Sequence, residues 1–241
     1  MNLIVQKFGG SSVCDPKHIF NVADIITKKY NNNTNIIVVI SAQGRTTDKL
    51  LEKSRLINKK ASKREIDVLL SSGEQVSAAL LVMAIEKLGV RGISLLGWQI
   101  NFETDSNHGD AEIKSLSKKR IISELKKKKI VVIAGFQGVD SSNDITTLGR
   151  GGSDVSAVAL AATFCADVCQ IYTDVDGVYD VDPNKFPNAT KINEISYDNM
   201  LDLSLAGAEV VNARSIEIAK KYNIKLEVLS SFKNTPGTII K

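Results

Sequence analysis

The chain of 241 residues is poor in the groups that most often do chemistry. It has three cysteines, two histidines and one tryptophan. Three cysteines, odd in number and scattered, form no disulfide framework and suit a reducing cytoplasm. His18 and His108 stand far apart in a sequence without an HExxH motif, so both read as surface or packing residues and no Ser-His-Asp triad can be assembled. Cys165 and Cys169 have no histidine nearby and read as core thiols rather than metal ligands. No apolar run approaches the length of a membrane span, and the N-terminus lacks a charged segment followed by an apolar one, so neither insertion nor secretion is indicated. Net charge is only +4, and the densest basic run, residues 126–129, reads as a solvated helix end rather than a nucleic-acid patch. A hydrophobic content of 43% with 24% charged residues is ordinary for a protein with a real core. What remains is an enzyme or a binding protein.

The periodicities alternate along the chain. Short apolar runs at 3–7, 36–40, 92–96, 130–134, 168–172 and 226–229 read as buried strands. Helical spacing occupies 15–30, 47–59, 65–70, 74–88, 115–127, 153–165, 196–206 and 212–222. Alternation at this spacing predicts an α/β fold, a mainly parallel sheet sandwiched between helices. Turn residues 141–144 between two short apolar stretches predict a small hairpin. No internal repeat or low-complexity linker appears, so a single domain over residues 1–241 is expected.

Loops that follow strands should converge beyond the carboxyl ends of a parallel sheet. Lys7-Phe8-Gly9-Gly10-Ser11-Ser12 offers backbone amides and a point charge to an anion. Ser41 to Asp48 is rich in hydroxyls, and Gly135-Phe136-Gln137-Gly138 is a third such loop. Gly149-Arg150-Gly151-Gly152-Ser153-Asp154 places an arginine beside a helix start, suited to a carboxylate or phosphate; ordinary capping by Ser153 and Asp154 is the plainer reading. Neither a P-loop nor a dinucleotide fingerprint is present. Residues 173–183 are dense in carboxylates but do not match a calcium loop; an acidic turn and a nucleotide site both remain open.

Taken in order, these segments resemble the amino acid kinase family, and within it the bacterial aspartate kinases. The resemblance also rests on Ser72-Gly73-Glu74-Gln75, Gly97-Trp98-Gln99, His108-Gly109, Thr173-Asp174-Val175, Gly177-Val178-Tyr179, Asp182-Pro183, Ser230-Ser231 and Pro236-Gly237-Thr238. Its most specific piece is the run from Thr146 to Asp154. The resemblance implies the three-layer αβα amino acid kinase fold and transfer of the ATP γ-phosphoryl group to the side chain of L-aspartate. That is the first step of the biosynthesis of lysine, threonine and methionine. By the same analogy, Lys7 contacts the transferring group and Asp154 orients Lys7, with Gly9, Gly10 and Ser11 as further donors. Glu74 holds the ammonium and Arg150 a carboxylate, with Ser41, Thr47, Phe136 and Ser153 nearby. Thr173, Asp174, Tyr179 and Asp182 line the nucleotide side. ATP, Mg²⁺, a homodimer and a cytoplasmic location are implied, with no resident metal ligands among the residues.

Three departures stand out: Asp176 where the family usually has proline, Asn184 where it has arginine, and Glu209 where a lysine or neutral residue is usual. Glu112 replaces a common arginine. Each moves the nucleotide side towards negative charge, which weakens triphosphate binding unless Mg²⁺ or another lysine compensates. The two ACT regulatory domains usual in aspartate kinases lie beyond this chain, so little effect of lysine on its activity is expected. A kinase for another small amino acid and a non-catalytic amino-acid-binding regulatory subunit are the alternatives.

Overall fold

The computed structural model describes residues 2–30, 33–181, 183, 186, 188–208 and 210–241; Asp182, Asn184 and Glu209 lie outside them. The first half runs β1 (Asn2–Phe8), α1 (Pro16–Lys29), β2 (Thr34–Ile40), α2 (Thr46–Ile57), α3 (Lys63–Lys87) and β3 (Gly92–Leu95). It continues through β4 (Phe102–Thr104), β5 (Ile113–Leu116), α4 (Lys119–Lys126) and β6 (Ile130–Ala134). Next come β7 (Gln137–Val139), β8 (Ile145–Thr147), α5 (Gly152–Phe164), β9 (Val168–Thr173), β10 (Val178–Tyr179) and β11 (Lys191–Ile192). The chain closes with β12 (Glu194–Ile195), α6 (Tyr197–Leu205), α7 (Ala213–Tyr222), β13 (Leu226–Ser230) and β14 (Thr238–Ile240).

Eight strands form the central sheet in the order β12-β14-β13-β9-β1-β2-β6-β3, parallel except where β13 meets β14. The unbroken run of β2 shows why such a sequence must be covered on both faces. Ile36, Val38 and Ile40 pack towards α1 and α3, whereas Ile37 and Val39 pack towards α5. The same alternation puts Lys7 of β1 on the face of Val5, the α5 side, and Phe8 on the other, where it stacks on Tyr172 with ring centroids 4.5 Å apart.

The expected hairpin is present as antiparallel β7 and β8, but it belongs to a second sheet of order β5-β4-β7-β8 that the periodicity did not announce. Residues 113–116 form β5 in that sheet, so the helix expected from 115 begins only at Lys119. The two helices expected at 65–70 and 74–88 are one, α3, which runs straight through Gly73. By length and composition α3 could cross a bilayer, contrary to the reading that no segment could. Within the fold it is a core helix whose apolar window is 50% buried. Of the two thiols read as core, Cys169 is buried and Cys165 is exposed at the left-handed C-terminal residue of α5.

Candidate active site

Beyond the carboxyl ends of β1, β2 and β6 lies a cleft of about 540 Å³ between α3 and the start of α5. Lys7, Gly10, Ser41, Thr47, Glu74, Phe136, Arg150, Ser153 and Asp154 all line it. The fold therefore gathers both expected catalytic residues and every expected substrate residue into one space.

Lys7 ends β1 on the α5 face, and Asp154 occupies the first turn of α5. Their side chains meet with Nζ 2.7 Å from Oδ1 and are only 12% and 11% exposed. A pair this withdrawn from water interacts far more strongly than a surface ion pair, and it fixes the direction in which the ammonium points.

Glu74 reaches the cleft because two backbones come unusually close. A Cβ on Gly73 would sit 2.8 Å from the Cβ of Ala42, so only glycine lets α3 lie against the loop after β2. At that distance the Ala42 N–H donates to Glu74 Oε1 at 3.0 Å, while Oε2 is buried with no hydrogen-bond partner among the described residues. Burial pushes the Glu74 carboxyl up to about 7, against the smaller opposing effect of the Ala42 amide. The glycine loop is held to the same segment. The Gly44 N–H donates to Gly10 O at 2.9 Å, and a Cβ at Gly10 would lie 2.6 Å from Ala42 O.

Arg150 is exposed, and its guanidinium makes no ion pair with a described residue. Phe136 has a φ of 69°, rare for an aromatic residue; its N–H donates to Ser156 Oγ and its carbonyl accepts from Leu148 N, which hold it there.

Sequence reasoning missed Asp67, which is completely buried beneath the cleft. Its Oδ2 accepts from the N–H groups of Gly109 and Thr147 at 3.0 Å each and lies 3.0 Å from His108 Nδ1. Its Oδ1 accepts from Thr147 Oγ1 at 2.7 Å. One carboxylate thus joins α3, the His108–Gly109 turn and the end of β8. The available signal was an acidic residue inside the apolar pattern Ile66, Val68, Leu69 and Leu70.

Gly9, Ser11, Thr173, Asp174 and Tyr179 do not line this cleft. Gly9, Ser11, Thr173 and Asp174 lie at or just beyond the carboxyl ends of β1 and β9, whereas Tyr179 lies in the separate pair β10–β11. The Gly9 N–H donates to Tyr172 O at 3.3 Å, and Ser12 and Ser231 share a hydroxyl hydrogen bond of 2.6 Å. There Thr173 Oγ1 donates to Asp174 Oδ1, and the Tyr179 hydroxyl donates to Asp176 Oδ1 at 2.9 Å. Lys191 and Lys233 each place Nζ 3.9 Å from Asp176 Oδ2. Burial alone would raise the Asp176 carboxyl, but the Tyr179 hydrogen bond and the lysines hold it below the usual range. The charge that Asp176 introduces therefore has two lysines near it.

The cleft carboxylates do not make a resident magnesium site. Asp67 is saturated by its donors, Asp154 is paired with Lys7, Asp48 with Arg45, and Glu74 stands apart from them on the α3 side. Magnesium here would depend on phosphate oxygens brought by the nucleotide.

The amino acid kinase family model matches residues 2–230. The aspartokinase of Geobacillus stearothermophilus is 48% identical over 241 residues, covering 100% of this chain and 59% of that protein. Among solved structures, the Synechocystis aspartate kinase superposes with a TM-score of 0.89 at 44% identity, over 99% of this chain and 39% of that one. Escherichia coli aspartokinase III in complex with aspartate and ADP gives 0.88 at 26% identity, over 99% of this chain and 64% of that one. The chain thus spans less than two thirds of the length of these relatives.

Proposed function

The chain belongs to the amino acid kinase family, and from that premise we propose that it transfers the γ-phosphoryl group of ATP to the side-chain carboxylate of L-aspartate. The observation that carries this reading is the convergence of Lys7, Arg150 and Glu74 on one cleft. A zwitterion with an extra carboxylate needs a fixed anion for its ammonium and fixed cations for its oxygens. Glu74 supplies the first from α3 and Arg150 the second from the loop before α5.

The acceptor carboxylate, with an ordinary pKa of about 3.9, is already ionised at neutral pH, so no general base is required. This fits a cleft whose nearest histidine, His108, is turned to Asp67. Lys7 lies where negative charge must be neutralised during in-line transfer, and Asp154 keeps it from swinging away. The Ser41 and Thr47 hydroxyls and Ser153 offer polar contacts along the same path. ATP supplies the electrophilic phosphorus, with Thr173, Asp174 and Tyr179 as its candidate contacts and Asp182 as a further candidate from the sequence alone. When the ammonium of the substrate arrives, Glu74 gives up the proton that burial favours and becomes the counter-ion.

Residues 1–241 acting as one catalytic unit, a homodimer and a cytoplasmic location belong to the same proposal, and sedimentation velocity measures the second. The chemistry is tested by ADP release from ATP–Mg²⁺ with and without L-aspartate, beside Lys7→Ala. Aspartate-dependent ADP formation that disappears in Lys7→Ala supports the kinase reading. Turnover with another small amino acid instead would transfer the proposal to that acceptor. Aspartate binding without any turnover would replace it with a regulatory binder.

A further inference from the structure

Arg150 sits on a loop that should be loose. Gly149 and Gly151 flank it with φ of 74° and 69°, a conformation that leaves few intrinsic restraints on the arginine between them. A carboxylate grip nevertheless needs its guanidinium placed within a fraction of an ångström. Asp67 holds the near end of this segment through Thr147. The far end is held by the start of α7, which no motif in the sequence singled out.

Two side chains do the holding. Asn212 donates its Nδ2 to the Arg150 carbonyl at 3.2 Å, and Arg214 donates Nη1 to the Leu148 carbonyl at 3.2 Å. The second arm of the Arg214 fork, Nη2, donates to Ala111 O at 2.8 Å, tying the loop to the segment after Gly109. The nearest carboxylate, Asp110, is 3.8 Å from Nη1 and largely exposed, so Arg214 acts chiefly as a fork of carbonyl donors. Asn212 is also the N-cap of α7, its Oδ1 accepting from Arg214 N at 3.0 Å. A Cβ at Gly151 would overlap the Asn212 amide, so the loop and the helix start are packed without slack.

We propose that Asn212 and Arg214 are positioning residues that clamp the Leu148 and Arg150 carbonyls and so aim the Arg150 guanidinium into the substrate cleft. The inference rests on the reading that Arg150 holds a carboxylate of L-aspartate. It adds that affinity for this substrate is set in part from α7, through residues that do not line the cleft.

The test uses Arg214→Lys, which keeps the charge and loses the fork, and Asn212→Asp, which keeps the helix cap and loses the amide donor. Hydrogen exchange of amides 149–152 reads the clamp, and calorimetry with L-aspartate and separately with ATP–Mg²⁺ reads its consequence. Both variants are expected to exchange about tenfold faster in this loop and to bind L-aspartate about tenfold more weakly, with ATP–Mg²⁺ affinity within twofold of the parent chain. Unchanged exchange in both variants overturns the clamp. Faster exchange with unchanged aspartate affinity overturns the positioning role, and an equal loss for both ligands marks a general structural defect and overturns it too. If the parent chain binds no L-aspartate, the substrate reading and the role built on it fall, while the exchange arm alone still decides whether the clamp exists.

Discussion

Glu74 is the residue at which burial and function oppose each other most directly. Its carboxyl is 3% exposed and pushed up to about 7, so in the empty chain it is mostly protonated below that pH. An ammonium binds only the ionised form. Affinity for L-aspartate is therefore expected to be flat above about pH 8 and to fall about tenfold per unit below pH 7. Calorimetry in buffers of different ionisation enthalpy should also register protons released on binding at pH 6. Glu74→Gln should bind weakly with no such slope; a wild-type affinity unchanged between pH 6 and 8 would remove Glu74 from the ammonium site. Asp176 presents the opposite balance, because its negative charge offsets those of Lys191 and Lys233, each with Nζ 3.9 Å from its Oδ2. Asp176→Asn is expected to tighten ATP–Mg²⁺ binding about two- to fivefold, the scale of partly exposed ion pairs. Weaker binding in that variant would mean that Asp176 itself contacts the nucleotide or holds Tyr179 for it.

Among the elements, α3 shows how a local rule can be overridden by packing. A glycine in mid-helix costs about 1 kcal/mol relative to alanine, which is why the pattern at Ser71 to Glu74 reads as a break. The helix continues because Gly73 is where α3 touches Ala42, with room for a hydrogen atom but not a methyl group. Gly73→Ala should therefore destabilise the chain by about 1–3 kcal/mol in urea unfolding, the overpacking outweighing the gain in helix propensity. It should also weaken aspartate binding, because Glu74 and the Ala42 amide separate together. A stabilised Gly73→Ala chain would show that the approach has slack. The small sheet was missed for a different reason. Strand β4 is three residues long, too short for any alternation to register, and a Cβ on Gly138 of its partner β7 would lie 2.6 Å from the Phe102 carbonyl oxygen, so this pairing rests on close approach rather than on a pattern.

At the scale of the whole molecule, Lys7 lies on β1, an inner strand flanked by β2 and β9, at the edge of the sheet where the cleft opens. Closing that edge around a ligand should stabilise the fold by mass action. L-Aspartate at a hundred times its dissociation constant is expected to add about 2.7 kcal/mol, a rise in melting temperature of about 5–10 °C for a chain of this size. Arg150→Met should abolish the rise at the same concentration; an equal shift in that variant would exclude Arg150 from the site. The sequence by itself determined the layered α/β architecture, because strands buried on both faces must read as unbroken apolar runs and their helices as one-sided ones. It also marked Lys7, Arg150 and Asp154, which stand in glycine-rich segments at or after the ends of strands, whereas Glu74, inside α3, was reached only through the resemblance to the amino acid kinases. Only the tertiary structure decided that α3 is one helix, that Asp176 has Lys191 and Lys233 near it, and that Asp67, Asn212 and Arg214 hydrogen-bond the segment from Thr147 to Arg150. These depend on contacts between segments separated along the chain, from 15 residues for Asp176 and Lys191 to 80 for Asp67 and Thr147, and such contacts leave no period or spacing for a reader to find.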